Sequence, residues 1–334
     1  MKLSASVFSS KNKELLEVIH DLDLYQIDFC HIDSIEDSSV FEKIDLISQN
    51  SSIPIDLHLI TNNPLFYIEE IKSRDIKQVS FQYENLPKDF IFPKMNDTKI
   101  GLAIHIQNQN INEIISLYKN QLDYFLLMMT TPGISGGLFE IKNLKLIHNL
   151  VQEYPNVIFQ VDGGVNNDIA YILRIFGIDT VVIGSYMMNH EDLGAAVLNL
   201  KSKSSSSDIL VSDFMIHRAF LPILDIEKSC IREVLIEMQK TKLGIVFCEN
   251  NNKFEGIITN ADIRKYLLSN NYNPNDSILK CLNQNPKKIL ETFTIKKMLE
   301  YINDCEFPIL VLPILNSDNH LLGAISFHKL LKSD

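Results

Sequence analysis

The chain has 334 residues, 46% of them hydrophobic and 22% charged, which is enough to bury a sizeable core and, at roughly 100–200 residues per domain, to make two domains. Lys and Arg number 31 against 42 Asp and Glu, and the resulting formal charge of −11 argues against a sequence-independent grip on a nucleic-acid polymer or an anionic membrane, which needs clustered cations. Five scattered cysteines (Cys30, Cys230, Cys248, Cys281, Cys305) with no CxxC pair read as reduced thiols of a cytoplasmic protein. No apolar run reaches the ~18–20 residues of a membrane helix and the N-terminal one is too short for a signal segment, so the expectation is a soluble, intracellular chain, mature as written.

From the N-terminus, short apolar runs alternate with amphipathic segments. KLSASVF opens the series and IDFCHID, PIDLHLI, QVSFQY, KIGLAIHI, DYFLLMM, VIFQVDG and TVVIGS follow. Segments such as EKIDLI, FYIEEIKS, NEIISLYKN, IKNLKLIHNLV, IAYILRIF and EDLGAAVLNLK lie between or after them. About eight strand–helix units in some 200 residues predict a closed parallel (β/α)8 barrel. The polar run KSKSSSS at 201–207 predicts a linker, 201–208, between a barrel domain at 1–200 and a second region at 209–334. There the pattern repeats: strands at 243–247 and 256–259 with a helix from Asn260, then strands at 308–312 and 323–326 with a helix at 327–331. This predicts a tandem pair of α+β units, about 209–271 and 272–334.

Three barrel strands end in ionisable groups. His31 and Asp33 are two apart and so face one way, as do Asp56 and His58, and Asp162 closes a seventh strand. Taken singly, each His is an ordinary polar residue near a strand end. Their agreement at the C-terminal mouth, where such barrels build active sites, points instead to a site for a divalent ion such as Zn, Fe or Mn. Three glycine-bearing turns, Pro132–Gly137, Asp162–Gly164 and Gly184–Ser185, follow strands six, seven and eight, where backbone N–H groups can approach a phosphate.

With those residues in place, 1–200 resembles the ribulose-phosphate 3-epimerase family. The likeness runs through Ser4-Ala-Ser-Val-Phe-Ser9, His31-Ile-Asp33, Pro54-Ile-Asp-Leu-His-Leu59, Asn63-Pro64, Tyr67, Pro132-Gly133, Gly136, Phe139, Val161-Asp-Gly-Gly-Val165 and Gly184-Ser185. The resemblance implies a metal held by His31, Asp33, His58 and Asp162, with Asp33 and Asp162 as the two proton-transfer carboxylates. It further implies substrate contacts at Ser6, His58, Gly133, Gly136, Gly163, Gly164, Gly184 and Ser185. Two opposed acid/base groups suit proton removal beside the C2 carbonyl of a ketose phosphate and its return to the other face. The chain departs from the family at Ala5, at Ile35-Glu36-Asp37, at Gln82 where a His is usual, at His105-Ile106, and in the loop Ile134-Ser135-Gly136-Gly137.

After the linker, Gly256-Ile-Ile-Thr-Asn-Ala-Asp262-Ile places a hydroxyl and a carboxylate at a helix start, which capping alone explains. The repeat nevertheless resembles a CBS domain pair, and Val211–Met215, 256–267 and 321–331 resemble the tail of arabinose-5-phosphate isomerases. The likeness implies an adenine nucleotide on Thr259 and Asp262. The second copy has Ser326 but Lys329 in place of the carboxylate, so at most one ordinary nucleoside site is expected. The combined reading is an epimerase of D-ribulose 5-phosphate and D-xylulose 5-phosphate whose CBS pair serves regulation or homo-oligomer assembly. The alternatives are a 3-epimerase of another ketose phosphate, such as a hexulose 6-phosphate or a surface-polysaccharide precursor, and a non-catalytic sugar-phosphate sensor.

Overall fold

The computed structural model describes residues 1–11, 13–95, 97–202, 205, 207–241, 243–268 and 272–330. The chain divides into two compact units at 204/205. In the first, β1 (Lys2–Ser6), β2 (Phe29–Ile35), β3 (Ile55–Ile60), β4 (Ile76–Gln82), β5 (Lys99–His105), β6 (Tyr124–Met128), β7 (Phe159–Asp162) and β8 (Thr180–Ile183) close in sequence order into a parallel barrel. Strand β8 pairs back onto β1. The helices are α1 (Leu15–Leu24), α2 (Val40–Asn50), α3 (Ile68–Lys72), α4 (Ile111–Tyr118), α5 (Asn143–Glu153), α6 (Asn167–Phe176), α7 (Ser185–Met188) and α8 (Leu193–Lys201).

Helix α6 shows why these segments are helices. Asn166 caps it by accepting from the Ile169 N–H at 3.0 Å, and Gly177, at φ 84°, ends it in the left-handed conformation that glycine tolerates. After β4 the chain makes only a 3-10 turn (Tyr83–Asn85). An aromatic cluster fills the gap, with Phe81 5.6 Å from Phe90 and 5.9 Å from Phe92, which lies 5.5 Å from Tyr118. Inside the barrel the layers are partly polar: the Ser4 hydroxyl donates to Asp56 at 2.6 Å, and the Gln78 and Gln160 amides pair at 3.3 Å.

The second unit contains the repeat. The first copy runs β10 (Ile223–Asp225), α9 (Ile231–Thr241), β11 (Ile245–Asn250), β12 (Lys253–Thr259) and α10 (Asn260–Leu267). The second runs β13 (Ile289–Leu290), α11 (Ile295–Asn303), β14 (Val311–Leu315) and β15 (Leu321–Ser326), and β9 (Ile216–His217) pairs onto β15. In each copy the first strand is parallel to the second and the second antiparallel to the third. The irregularity in register recurs too, at Cys248/Glu249 and at Ile314/Leu315. Internal duplication of an α+β unit therefore extends to a local defect.

Several bounds differ from those expected: the strands expected at 243–247, 308–312 and 323–326 begin at Ile245, Val311 and Leu321. The helix expected at 327–331 is a turn over 328–330, with Leu331 outside the described residues. The first copy nucleates its helix with a capping box between Thr259 and Asp262, whereas the second has Lys329 in place of the acid, and the Ser326 hydroxyl bonds to His328 at 2.9 Å instead. Within the polar run, Lys201 closes α8, Ser207 is buried with its carbonyl accepting from Lys296, and 203, 204 and 206 lie outside the described residues. Among the described residues no helix is long and apolar enough to cross a membrane, and all five cysteines are free thiols.

Candidate active site at the barrel mouth

The register of β2 on β3 builds the site. It sets His31 beside Asp56 and Asp33 beside His58, so that an H-x-D strand lies against a D-x-H strand and yields two His–Asp pairs. His31 Nδ1 lies 2.8 Å from Asp56 and His58 Nδ1 lies 2.9 Å from Asp33. Strand β7, two strands beyond β1 by way of β8, brings Asp162 to 3.9 Å from His31 Nε2.

Asp56 accepts from the Ser4 hydroxyl and from His31, so His31 Nδ1 carries a proton and Nε2 is aimed at the mouth. There it lies 3.5 Å from Asp33 and makes no hydrogen bond. Ligand atoms of His31, His58 and Asp162 all lie within 4.8 Å of one another, and Asp33 touches both imidazoles. Two imidazole nitrogens directed at one spot between two carboxylates form a donor set that suits a divalent cation of the Zn, Fe or Mn type, and the orphaned Nε2 fits one.

The electrostatics agree with that geometry. Burial would lower the His31 pKa, but Asp56 and Asp33 hold it well above its ordinary value. Burial would raise Asp33, and the two imidazoles beside it, His31 and His58, outweigh that and keep the carboxyl well below the usual range. Asp162 goes the other way: burial, opposed by His31 and reinforced by the Asp33 charge, raises its pKa to about 6. The two carboxylates are thus driven apart, as in acid/base pairs that share a site.

A cavity of about 250 Å³ opens above these groups. Of the residues singled out in the sequence, Ser6, Asp33, Asp162, Gly133, Gly136, Gly163, Gly164, Gly184 and Ser185 all line it, while His31 and His58 are fully buried and do not. The Asp162–Gly164 turn needs its glycines. Gly163 and Gly164 adopt φ 112° and 67°; a Cβ on the first would lie 2.8 Å from the Thr130 backbone nitrogen, and one on the second would overlap the Phe139 nitrogen. Helix α7 starts at Ser185, beside Gly184, as a short extra helix after the last strand.

Ser9, Thr130 and Tyr186, which are not among the site residues expected from the sequence, also line the cavity. Ser9 could have been found from its place in the same SASVFS segment as Ser6, to whose hydroxyl it bonds at 2.9 Å. Gln82 and His105, two departures from the family pattern, do not line the cavity, whereas Ile35 and Ile134 do.

In the second unit, Thr259 and Asp262 form the capping box, with hydroxyl and carboxylate 2.6 Å apart. They also line a cavity of about 810 Å³ with Arg264, Lys265, Lys287 and Phe307.

A family model described as the ribulose-phosphate 3 epimerase family matches residues 2–188, and a CBS domain model matches 211–269. The chain is 25% identical over 213 residues to ribulose-phosphate 3-epimerase of Helicobacter pylori (strain J99), covering 60% of this chain and 97% of that protein. It is 30% identical over 173 residues to the Aquifex aeolicus enzyme of the same name, covering 48% of this chain and 75% of that one. A solved structure of CBSX2 in complex with AMP covers 37% of this chain and 94% of its own, at 15% identity and a TM-score of 0.31. With more than half of its length matched, the chain belongs to the ribulose-phosphate 3-epimerase family, enzymes of the isomerase class.

Proposed function

We propose that the protein interconverts D-ribulose 5-phosphate and D-xylulose 5-phosphate by two-base proton transfer at C3. The observation that carries the reading is the pair of carboxylates, Asp33 and Asp162, on nearly opposite barrel strands, lining one cavity with pKa values shifted in opposite directions. Asp33, held ionised, takes the C3 proton from one face while Asp162, the stronger holder of a proton, supplies one to the other. In the reverse direction the roles exchange. His31, Asp33, His58 and Asp162 would hold one divalent ion (Zn, Fe or Mn), which when bound supplies positive charge for the developing enediolate and relieves repulsion between the carboxylates.

Ser6 orients the reacting end of the sugar, Gly133 and Gly163 contact the substrate, and Gly136, Gly164, Gly184 and Ser185 surround the phosphate. That binding fixes orientation and changes little along the reaction. The second unit serves regulation through an adenine nucleotide at Thr259 and Asp262, or assembly of copies of the chain into a homo-oligomer. Arg264, Lys265 and Lys287 around that cavity support an anionic ligand. The free thiols support a reducing, cytoplasmic setting.

A coupled assay on D-ribulose 5-phosphate, with and without divalent metal, tests the reading. Turnover is expected to depend on metal and to fall by about 10²–10⁴-fold in Asp33→Asn and in Asp162→Asn. Metal-loaded, folded protein inert on this sugar but active on a hexulose 6-phosphate would shift the reading to another ketose phosphate, for which the apolar Ile35 and Ile134 in the cavity wall are the relevant contacts.

A further inference from the structure

Gln82 ends β4, is buried, and bonds through its Oε1 to His58 Nε2 at 2.8 Å. Its amide nitrogen donates to the Glu84 carboxylate. The other Glu84 oxygen accepts from the His105 backbone N–H at 3.2 Å and from the Asn108 amide at 3.0 Å. This hydrogen-bonded string leads from the end of β5 through Glu84 and Gln82 to His58 and then to Asp33, and two of the chain's departures from its family, Gln82 and His105, lie on it.

The chemistry of the string has one sense. An ionised carboxylate only accepts, so Gln82 must turn its NH2 to Glu84 and its carbonyl to His58. A carbonyl only accepts, so His58 Nε2 must carry the proton. The opposite nitrogen, Nδ1, then faces Asp33 at 2.9 Å and the mouth. His31 is fixed in the mirror sense, its Nδ1–H held by Asp56 and its Nε2 turned inward. The two imidazoles present different nitrogens to one spot because two different acceptors stand behind them, a buried carboxylate for one and an amide backed by a carboxylate for the other.

We propose that Gln82 and Glu84 are positioning residues for His58, setting its tautomer and ring orientation so that Nδ1 serves as the inward ligand. The proposal rests on the metal-site reading above. Neither residue lines the cavity. A partner behind a ligating imidazole raises its basicity, and its loss ordinarily costs 10–100-fold in metal affinity.

The test uses the full chain and two measurements. In the metal-free protein, ¹⁵N spectra of the histidine rings are expected to show a proton on His58 Nε2. In Gln82→Leu that proton should leave Nε2, since Asp33 at Nδ1 is then the remaining acceptor. Co²⁺ affinity, followed by the visible absorption of the bound ion, should fall about 10–100-fold in Gln82→Leu. It should be largely restored in the double variant Gln82→Glu with Glu84→Gln, which reverses the donor and acceptor of that bond yet still offers His58 an acceptor. Should Gln82→Leu not fold, the double variant and Glu84→Gln alone keep the test: with the amide at 84 able to turn either way, Glu84→Gln should weaken Co²⁺ binding and the double variant should regain it. A bare Nε2 in the unaltered protein, or unchanged Co²⁺ affinity in Gln82→Leu and in Glu84→Gln, would overturn the proposal. Failure of the unaltered protein to bind Co²⁺ while His58 keeps its Nε2 proton would instead count against the metal-site reading.

Discussion

His31 and Asp162 carry pKa values raised above their ordinary ones, and both shifts oppose a cation in the same way. Asp162, at about 6 in the fold, gains from being protonated there. Its contribution to stability is fully present below its ordinary value of 3.8 and lost as pH rises through about 6. The His31 contribution is likewise present at low pH and lost as pH rises through its elevated value. Both groups must give up a proton to ligate a metal, so binding releases protons, and apparent Zn²⁺ affinity should rise about tenfold per pH unit for each proton displaced. Below pH 6 two protons compete and above it only that of His31, so the slope of log affinity against pH should flatten near 6. Calorimetric titration in buffers of different ionisation enthalpy measures this, and a pH-independent affinity would contradict it. Asp56 belongs to the same scale: the sequence shows that it faces the same way as His58, yet burial places it a layer deeper, where it holds His31.

At the scale of elements, the glycine turns after β6, β7 and β8 were legible because left-handed backbone and close approach leave few alternatives to glycine. Replacing Gly164 by Ala forces a Cβ into the Phe139 backbone at a φ that alanine avoids, and should destabilise the barrel by about 1–3 kcal/mol. What survives should show a larger rise in KM than fall in kcat, since phosphate contacts bind substrate and transition state alike. Thr259→Ala removes the cap of α10 and should lower the stability of the second unit by about 1 kcal/mol, read by chemical denaturation.

The strands and most helices were legible from apolar periodicity, and the H-x-D and D-x-H strands marked candidate ligands by their period of two. The register that crosses them was not, because parallel pairing is set by contacts between segments rather than within one. The segment after β4 misleads for a similar reason: Phe90 and Phe92, two apart, have strand spacing, yet they lie outside any strand and pack against Phe81 and Tyr118. The short β9, two residues long, exists only through its pairing with β15 and leaves no pattern of its own.

At the scale of the whole molecule, two compact units with separate cores predict two separable responses to ligand. Divalent metal should raise the melting of the barrel, and an adenine nucleotide that of the second unit. A ligand present at about 100 times its dissociation constant contributes about 2.7 kcal/mol to the unit that binds it. Scanning calorimetry of the full chain with each ligand in turn reads this out, and a nucleotide that stabilises nothing would favour assembly over sensing.

Proton passage through opposite faces of C3 by Asp33 and Asp162 is measured most directly in the reaction of D-ribulose 5-phosphate with the metal-loaded protein in D2O, followed by NMR of the sugar. D-xylulose 5-phosphate carrying solvent deuterium at C3 is expected, with its formation slowed about 10²–10⁴-fold in Asp33→Asn and in Asp162→Asn. Product formed without deuterium at C3, or no exchange at C3 of any ketose phosphate by folded, metal-loaded protein, would contradict it.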